Sequence, residues 1–160
     1  MVTLVNELTN LNIQKEFGFV TGGNSPNNGE TELLDLKQWK WNNAAKYPYA
    51  ADIYDHAAIS HQSMFYIFGS ANSGGSQSSL IARFDPATNV WSQMGNLSTG
   101  VRYFYNVIFT EDTFLVVGGS SKFTEKCTLN GDTSITCVSE SELDTGSNPQ
   151  LFNVDSSYCN

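Results

Sequence analysis

Four residue types return in the same order at nearly the same spacing, and this recurrence limits the fold more than composition does. The fullest copy is Leu80-Ile-Ala-Arg-Phe-Asp-Pro-Ala-Thr-Asn-Val-Trp91, then Arg102, then Thr113-Phe-Leu-Val-Val-Gly-Gly119. Upstream, Glu32-Leu-Leu-Asp35, Trp39-Lys-Trp41 and Met64-Phe-Tyr-Ile-Phe-Gly-Ser70 repeat it. Asp35 to Asp85 and Trp41 to Trp91 each span 50 residues, and Gly22, Gly69 and Gly118 step by 47 and 49. A period near ~50 residues marks a repeat architecture, in which each unit is one supersecondary element that cannot bury its apolar face alone.

Short apolar runs separated by Gly, Asn, Ser and Pro predict strands throughout. They fall at 16–23, 31–36, 39–43, 57–60, 64–69, 80–84, 89–94, 105–109, 113–118, 124–129 and 134–139, with another beginning at 151–154. No window carries a sustained helical stripe, so the chain is expected to be all-β. Its longest apolar runs, such as Phe114 to Val117, are strand-sized and predict no transmembrane helix. Met1-Val-Thr-Leu-Val lacks the basic start and long apolar core of a signal peptide. The net charge of −8 over 160 residues argues against nucleic acid and anionic membranes as partners.

The repeated residues have physical roles. Asp85-Pro-Ala-Thr-Asn89 is a turn in which Asp accepts bonds from downstream amides and Pro86 fixes φ. Trp91 then supplies a large plate for packing between units, with an N–H that needs a partner when buried. Gly22-Gly23, Gly69 and Gly118-Gly119 suit positive φ and close backbone approach.

Leu80 to Gly119, with Asp-Pro-x-Thr-Asn-x-Trp, Arg102 and the terminal Gly-Gly, resembles a kelch repeat. Thr31 to Ser70 is a weaker copy, keeping Asp35 and Trp41 but placing Leu-Lys-Gln in the turn and Ile53 in place of the Arg. A third unit from Lys122 has neither the Asp-Pro turn nor the Trp. The resemblance implies kelch-type β-propeller blades of four antiparallel strands over residues 16–155, divided near 16–63, 64–112 and 113–155. Residues 1–15 would form an N-terminal strand or linker, and 156–160 the start of a further element or a truncated end. Propellers use at least four blades, and about three units are present. The chain is therefore expected to be a segment of a longer protein, half of an assembled ring, or an open arc whose edges need protection.

Cys127 and Cys137 flank Asn130-Gly131, a strong hairpin signal. Pairing symmetric about a two-residue turn would place 127 opposite 134, so a bulge, a longer loop or a disulfide must absorb the difference. We read the cysteines as a disulfide across the outer hairpin of the third unit, standing in for its missing Trp. Cys159 has no partner left in the chain. A disulfide points to an extracellular or secretory setting rather than the cytoplasm, and Asn96-Leu-Ser98 is a candidate glycosylation acceptor.

Candidate binding residues are His56 with Asp55 at the start of an inner strand, and Arg102 with Tyr103 and Tyr105 in the densest aromatic cluster. Asn27 and Asn72 join them from long Asn/Gly/Ser-rich loops. No metal set, nucleophile motif or cofactor motif accompanies them. The expected function is a non-catalytic module that recognises a protein or glycan, in which case it is not an enzyme. The alternatives are a sugar-active propeller enzyme of oxidase or mutarotase type, or a segment that self-assembles with itself or with missing blades.

Overall fold

In the computed structural model the described residues are 2–4, 17–23, 29–50, 53–72, 77–98, 105–110, 112–118 and 123–142. They contain twelve strands and no helix, so none is long and apolar enough to cross a membrane. Sheet I comprises β1 (Val2–Leu4), β2 (Phe17–Thr21), β3 (Thr31–Asp35) and β4 (Lys40–Ala44). Sheet II comprises β5 (Ala57–His61), β6 (Met64–Ala71), β7 (Gln77–Asp85) and β8 (Val90–Asn96). Sheet III comprises β9 (Tyr105–Thr110), β10 (Thr113–Gly118), β11 (Phe123–Asn130) and β12 (Ser134–Glu142). Each is a four-stranded antiparallel meander in chain order.

The sheets cut the chain one strand earlier than the expected divisions. The spans 16–63, 64–112 and 113–155 separate β5 from β6 and β9 from β10. Both pairs are instead tight hairpins, closing at His61 opposite Met64 and at Thr110 opposite Thr113. β5 and β9 are therefore the opening strands of sheets II and III rather than the closing strands of the units before them. β1 supplies the opening strand of sheet I from within the expected 1–15 segment, pairing Val2 to Leu4 with Val20 to Gly18.

The recurring turn chemistry is present twice. Asp35 Oδ1 accepts the amides of Lys37 and Gln38 at 2.8 and 2.9 Å. Asp85 Oδ1 accepts those of Ala87 and Thr88 at 2.8 and 3.4 Å, and its Oδ2 accepts the Thr88 hydroxyl at 2.8 Å. Partial burial would raise the Asp85 pKa, but these hydrogen bonds hold the carboxyl below its ordinary value. Gly22, Gly69 and Gly118 sit at φ 78°, 49° and 87°, the left-handed region where a side chain is costly. Gly69 lies inside β6, at a bulge between Phe68 and Ser70.

Strand alternation divides the core in two. Phe65, Ile67, Ala82, Phe84 and Trp91 of sheet II pack with Phe19, Tyr47 and Ile53. Tyr66, Phe68, Ile81 and Met94, from the opposite face, pack with Phe114, Val116, Cys127 and Ile135 of sheet III. Sheet II is thus the middle layer, apolar on both sides. Among the described residues no core cluster joins sheet I directly to sheet III.

Candidate functional site

The two ends of the sheets differ. At one end β3–β4, β5–β6, β7–β8, β9–β10 and β11–β12 are joined by turns of four residues or fewer, with the β1–β2 connection the exception. At the other end the strands are joined through 22–30, 45–56, 72–76, 97–104 and 119–122. Long connections on a rigid scaffold carry recognition more often than tight turns do.

The described part of this second end is built around Ile53 to His56. Ile53 is fully buried, and its carbonyl accepts the Gly23 N–H at 2.7 Å. A Cβ on Gly22 would run into the Ile53 backbone, so only glycine permits this approach. Tyr54 forms a two-way backbone bridge with Ala71, at 3.0 and 2.9 Å, and its hydroxyl donates to the Asn72 carbonyl at 2.6 Å. These bonds bring Asp55, His56 and Asn72, distant in sequence, onto one rim. Asp55 is half-buried with φ 54°, a conformation that Asp tolerates better than most residues.

His56 is half-buried as a residue, but its Nδ1 is sealed from solvent and finds no hydrogen-bond partner. Burial lowers its pKa from 6.5 to about 4, because a charged imidazolium cannot be solvated there. The ring is neutral at pH 7. His61, at the far end of β5, packs tilted against Phe109 with ring centroids 3.6 Å apart and meets Phe114 edge-on. It therefore packs between sheets II and III, away from the rim.

The remaining sequence candidates are scattered. Tyr105 opens β9 opposite Gly118, while Arg102, Tyr103, Asn27, Gly119, Cys159 and 151–154 lie outside the described residues. Asn96 is exposed and accepts a 3.4 Å bond from the Ser79 hydroxyl. In the same Asn-Leu-Ser triplet Leu97 is buried, and the Ser98 hydroxyl is committed to Glu125 at 2.9 Å.

Cys127 and Cys137 form a disulfide. They are direct cross-strand partners in a regular hairpin that closes at Asn130 opposite Ser134. A three-residue loop, rather than a bulge between the cysteines, absorbs the register difference. Phe114 pairs with Cys127 as Phe65 pairs with Phe84, and Phe84 in turn pairs with Trp91. The disulfide thus occupies the place in sheet III that the Phe84–Trp91 pair holds in sheet II. Glu125 lies beside the two sulfurs, but their bond leaves no thiolate to hold a metal ion.

Sequence reasoning passed over Glu125, which has 0 % exposure and accepts the Ser98 N–H at 2.6 Å. A signal was available: two residues before Cys127 on a strand, Glu125 must share its face.

No family model matches the chain, and no curated protein matches it. Among solved structures it is similar to one described as "Structure of YjhT", with a TM-score of 0.62 at 16% identity. The match covers 88% of this chain and 51% of that one, so this chain spans about half the length of that structure. The likeness is one of fold.

Proposed function

We propose that the chain is a run of three kelch-type propeller blades that acts as a non-catalytic recognition module. It binds a protein or a glycan through the connections at the loop-bearing end of its sheets. The observation that carries this reading is the rim on which Tyr54, Asp55, His56 and Asn72 are held by the Tyr54–Ala71 bridge. A carboxylate, a carboxamide and a neutral imidazole on a stiff backbone suit hydrogen bonding to polar neutral or cationic groups. The net charge of −8 favours the same partners. The repeated Asp turns, the Trp91 plate and the three meanders support the blade assignment, and the Cys127–Cys137 disulfide suits an extracellular or secretory setting.

Glycan and peptide arrays probed with the whole chain test the proposal, followed by mapping of NMR shifts for any hit. Shifts are expected at Tyr54 to His56 and Asn72, with Asn72→Ala and Asp55→Asn weakening binding at unchanged Tm. Turnover of a sugar in the same samples would replace this reading with that of an oxidase or mutarotase.

A further inference from the structure

Each internal junction is made by the face that one sheet turns toward its predecessor. Toward sheet I, sheet II presents Trp91, whose Nε1 donates to the Ala45 carbonyl at 2.7 Å, and Asn89, whose Oδ1 accepts the Ala45 N–H at 2.7 Å. Toward sheet II, sheet III presents Glu125, which accepts the Ser98 N–H and hydroxyl. The repeat and the strand registers place Trp39, Trp41 and Glu32 of sheet I at the positions of Asn89, Trp91 and Glu125.

On that face of sheet I Leu34, the cross-strand partner of Trp41, is buried, but the indoles beside it are not. Trp39 and Trp41 are 76 % and 42 % exposed, against 8 % for Trp91. Trp39 is also held at φ 51°, an unusual conformation for a bulky residue. Beside them is a cleft of about 210 Å³ lined by Val20, Gly22, Glu30, Glu32 and Asn43.

At the other end of the stack, sheet III has a complementary outward face. Arg83 of sheet II reaches forward and donates to the Asp132 carbonyl in the β11–β12 turn at 2.8 Å. Lys126 occupies the Arg83 position in sheet III, is exposed, and pairs across the strand with Val138, which is 51 % exposed. The sequence after β12, Leu143-Asp-Thr-Gly146, also repeats Leu97-Ser-Thr-Gly100, the stretch in which Glu125 finds Ser98. One outward face offers indoles and carboxylates, the other an aliphatic surface and a cation.

We propose that two copies of this chain associate head to tail, the outward face of sheet I in each receiving the outward face of sheet III of the other. Two such contacts, related by a two-fold axis, close on themselves. Each new junction combines an indole plate, as between sheets I and II, with a carboxylate, as between sheets II and III. The inference rests on the equivalence of the three sheets and not on ligand binding at the loop-bearing end, which the contact leaves free.

Light scattering after size exclusion tests it under non-reducing conditions. The wild type is expected at twice 17.6 kDa. Trp41→Arg and Val138→Arg alter exposed residues and are each expected to give folded monomers, with circular dichroism unchanged. Mixed at high concentration, the two variants regain a dimer through their one intact junction. A monomeric wild type, an open-ended series of larger species, a dimer that survives both substitutions or a mixture that stays monomeric would each overturn the proposal.

Discussion

The junction between sheets I and II and that between sheets II and III share a geometry and differ in chemistry. At the first, Phe84 and Trp91 lie 5.0 Å apart between ring centroids, and Trp91 meets Tyr47 edge-on, also at 5.0 Å. Burial there drives the Tyr47 hydroxyl far above its ordinary pKa, with Tyr49 adding a smaller push in the same direction. At the second junction the same pair of positions holds a covalent bond, and a buried carboxylate replaces the small Ala82. Backbone approach substitutes for bulk: Gly95 of β8 lies so close to the Ile135 carbonyl that a Cβ there would collide with it. A junction position can thus be filled by aromatic area or by a cross-link, provided the exit segment of the preceding sheet is still hydrogen-bonded.

The largest effect is expected at the aromatic junction. Trp91→Ala removes the plate and leaves the Ala45 carbonyl without its donor, and should cost about 3–5 kcal/mol in urea unfolding. Reduction with dithiothreitol, or replacement of both Cys127 and Cys137 by Ala, acts at the other junction. Opening a cross-link with a sequence separation of 10 should cost about 2–3 kcal/mol. The same reductant should leave the fluorescence of buried Trp91 unchanged, which separates the two junctions spectroscopically.

Glu125→Ala comes next. Its partner Ser98, an exposed residue, would lose the acceptor of its N–H and hydroxyl, at about 1 kcal/mol, partly offset because a carboxylate no longer has to be desolvated. A loss as large as that of Trp91→Ala would mean that the carboxylate, rather than the disulfide, dominates the second junction.

An effect set by pH concerns His56, immediately before β5, the strand that faces both junctions. His56 has a folded pKa of about 4 against 6.5 for the free side chain. Between those values the unfolded chain takes up a proton that the folded chain resists. The stabilisation is therefore present above pH 6.5 and is lost as pH falls toward 4, on the order of 3 kcal/mol in all. Urea midpoints at pH 7 and pH 4.5 should show the loss, and His56→Gln should flatten it.

The strands were legible because they are short, apolar and bounded by turn residues. The equivalence of the units was legible because Asp35 and Asp85 do the same hydrogen-bonding work. The disulfide could be read from the spacing of its cysteines about Asn130-Gly131, although the loop length could not, since both two- and three-residue loops accept that dipeptide. The strand grouping was misread because its boundaries were set at the short turns after residues 63 and 112, which are hairpins within a sheet, whereas the sheets change within 45–56 and 97–104. The rim was only partly visible. Asp55 and His56 stood out as titratable neighbours, but the Tyr54–Ala71 bridge that brings Asn72 beside them is a backbone contact with no side-chain signature. Glu125 was missed because a carboxylate on a strand reads as solvent-facing unless its face is counted.

Hydrogen exchange on Trp91→Ala and on the reduced protein, side by side, tests the central claim that sheet II holds its two neighbours through equivalent but independent junctions. In a repeat stack each unit is stabilised by its nearest neighbours, and local opening should stay local. The expected result is faster exchange in β3 and β4 for Trp91→Ala, and in β11 and β12 for the reduced protein, with the opposite sheet protected in each case. Identical exchange patterns across all three sheets in both samples would contradict it.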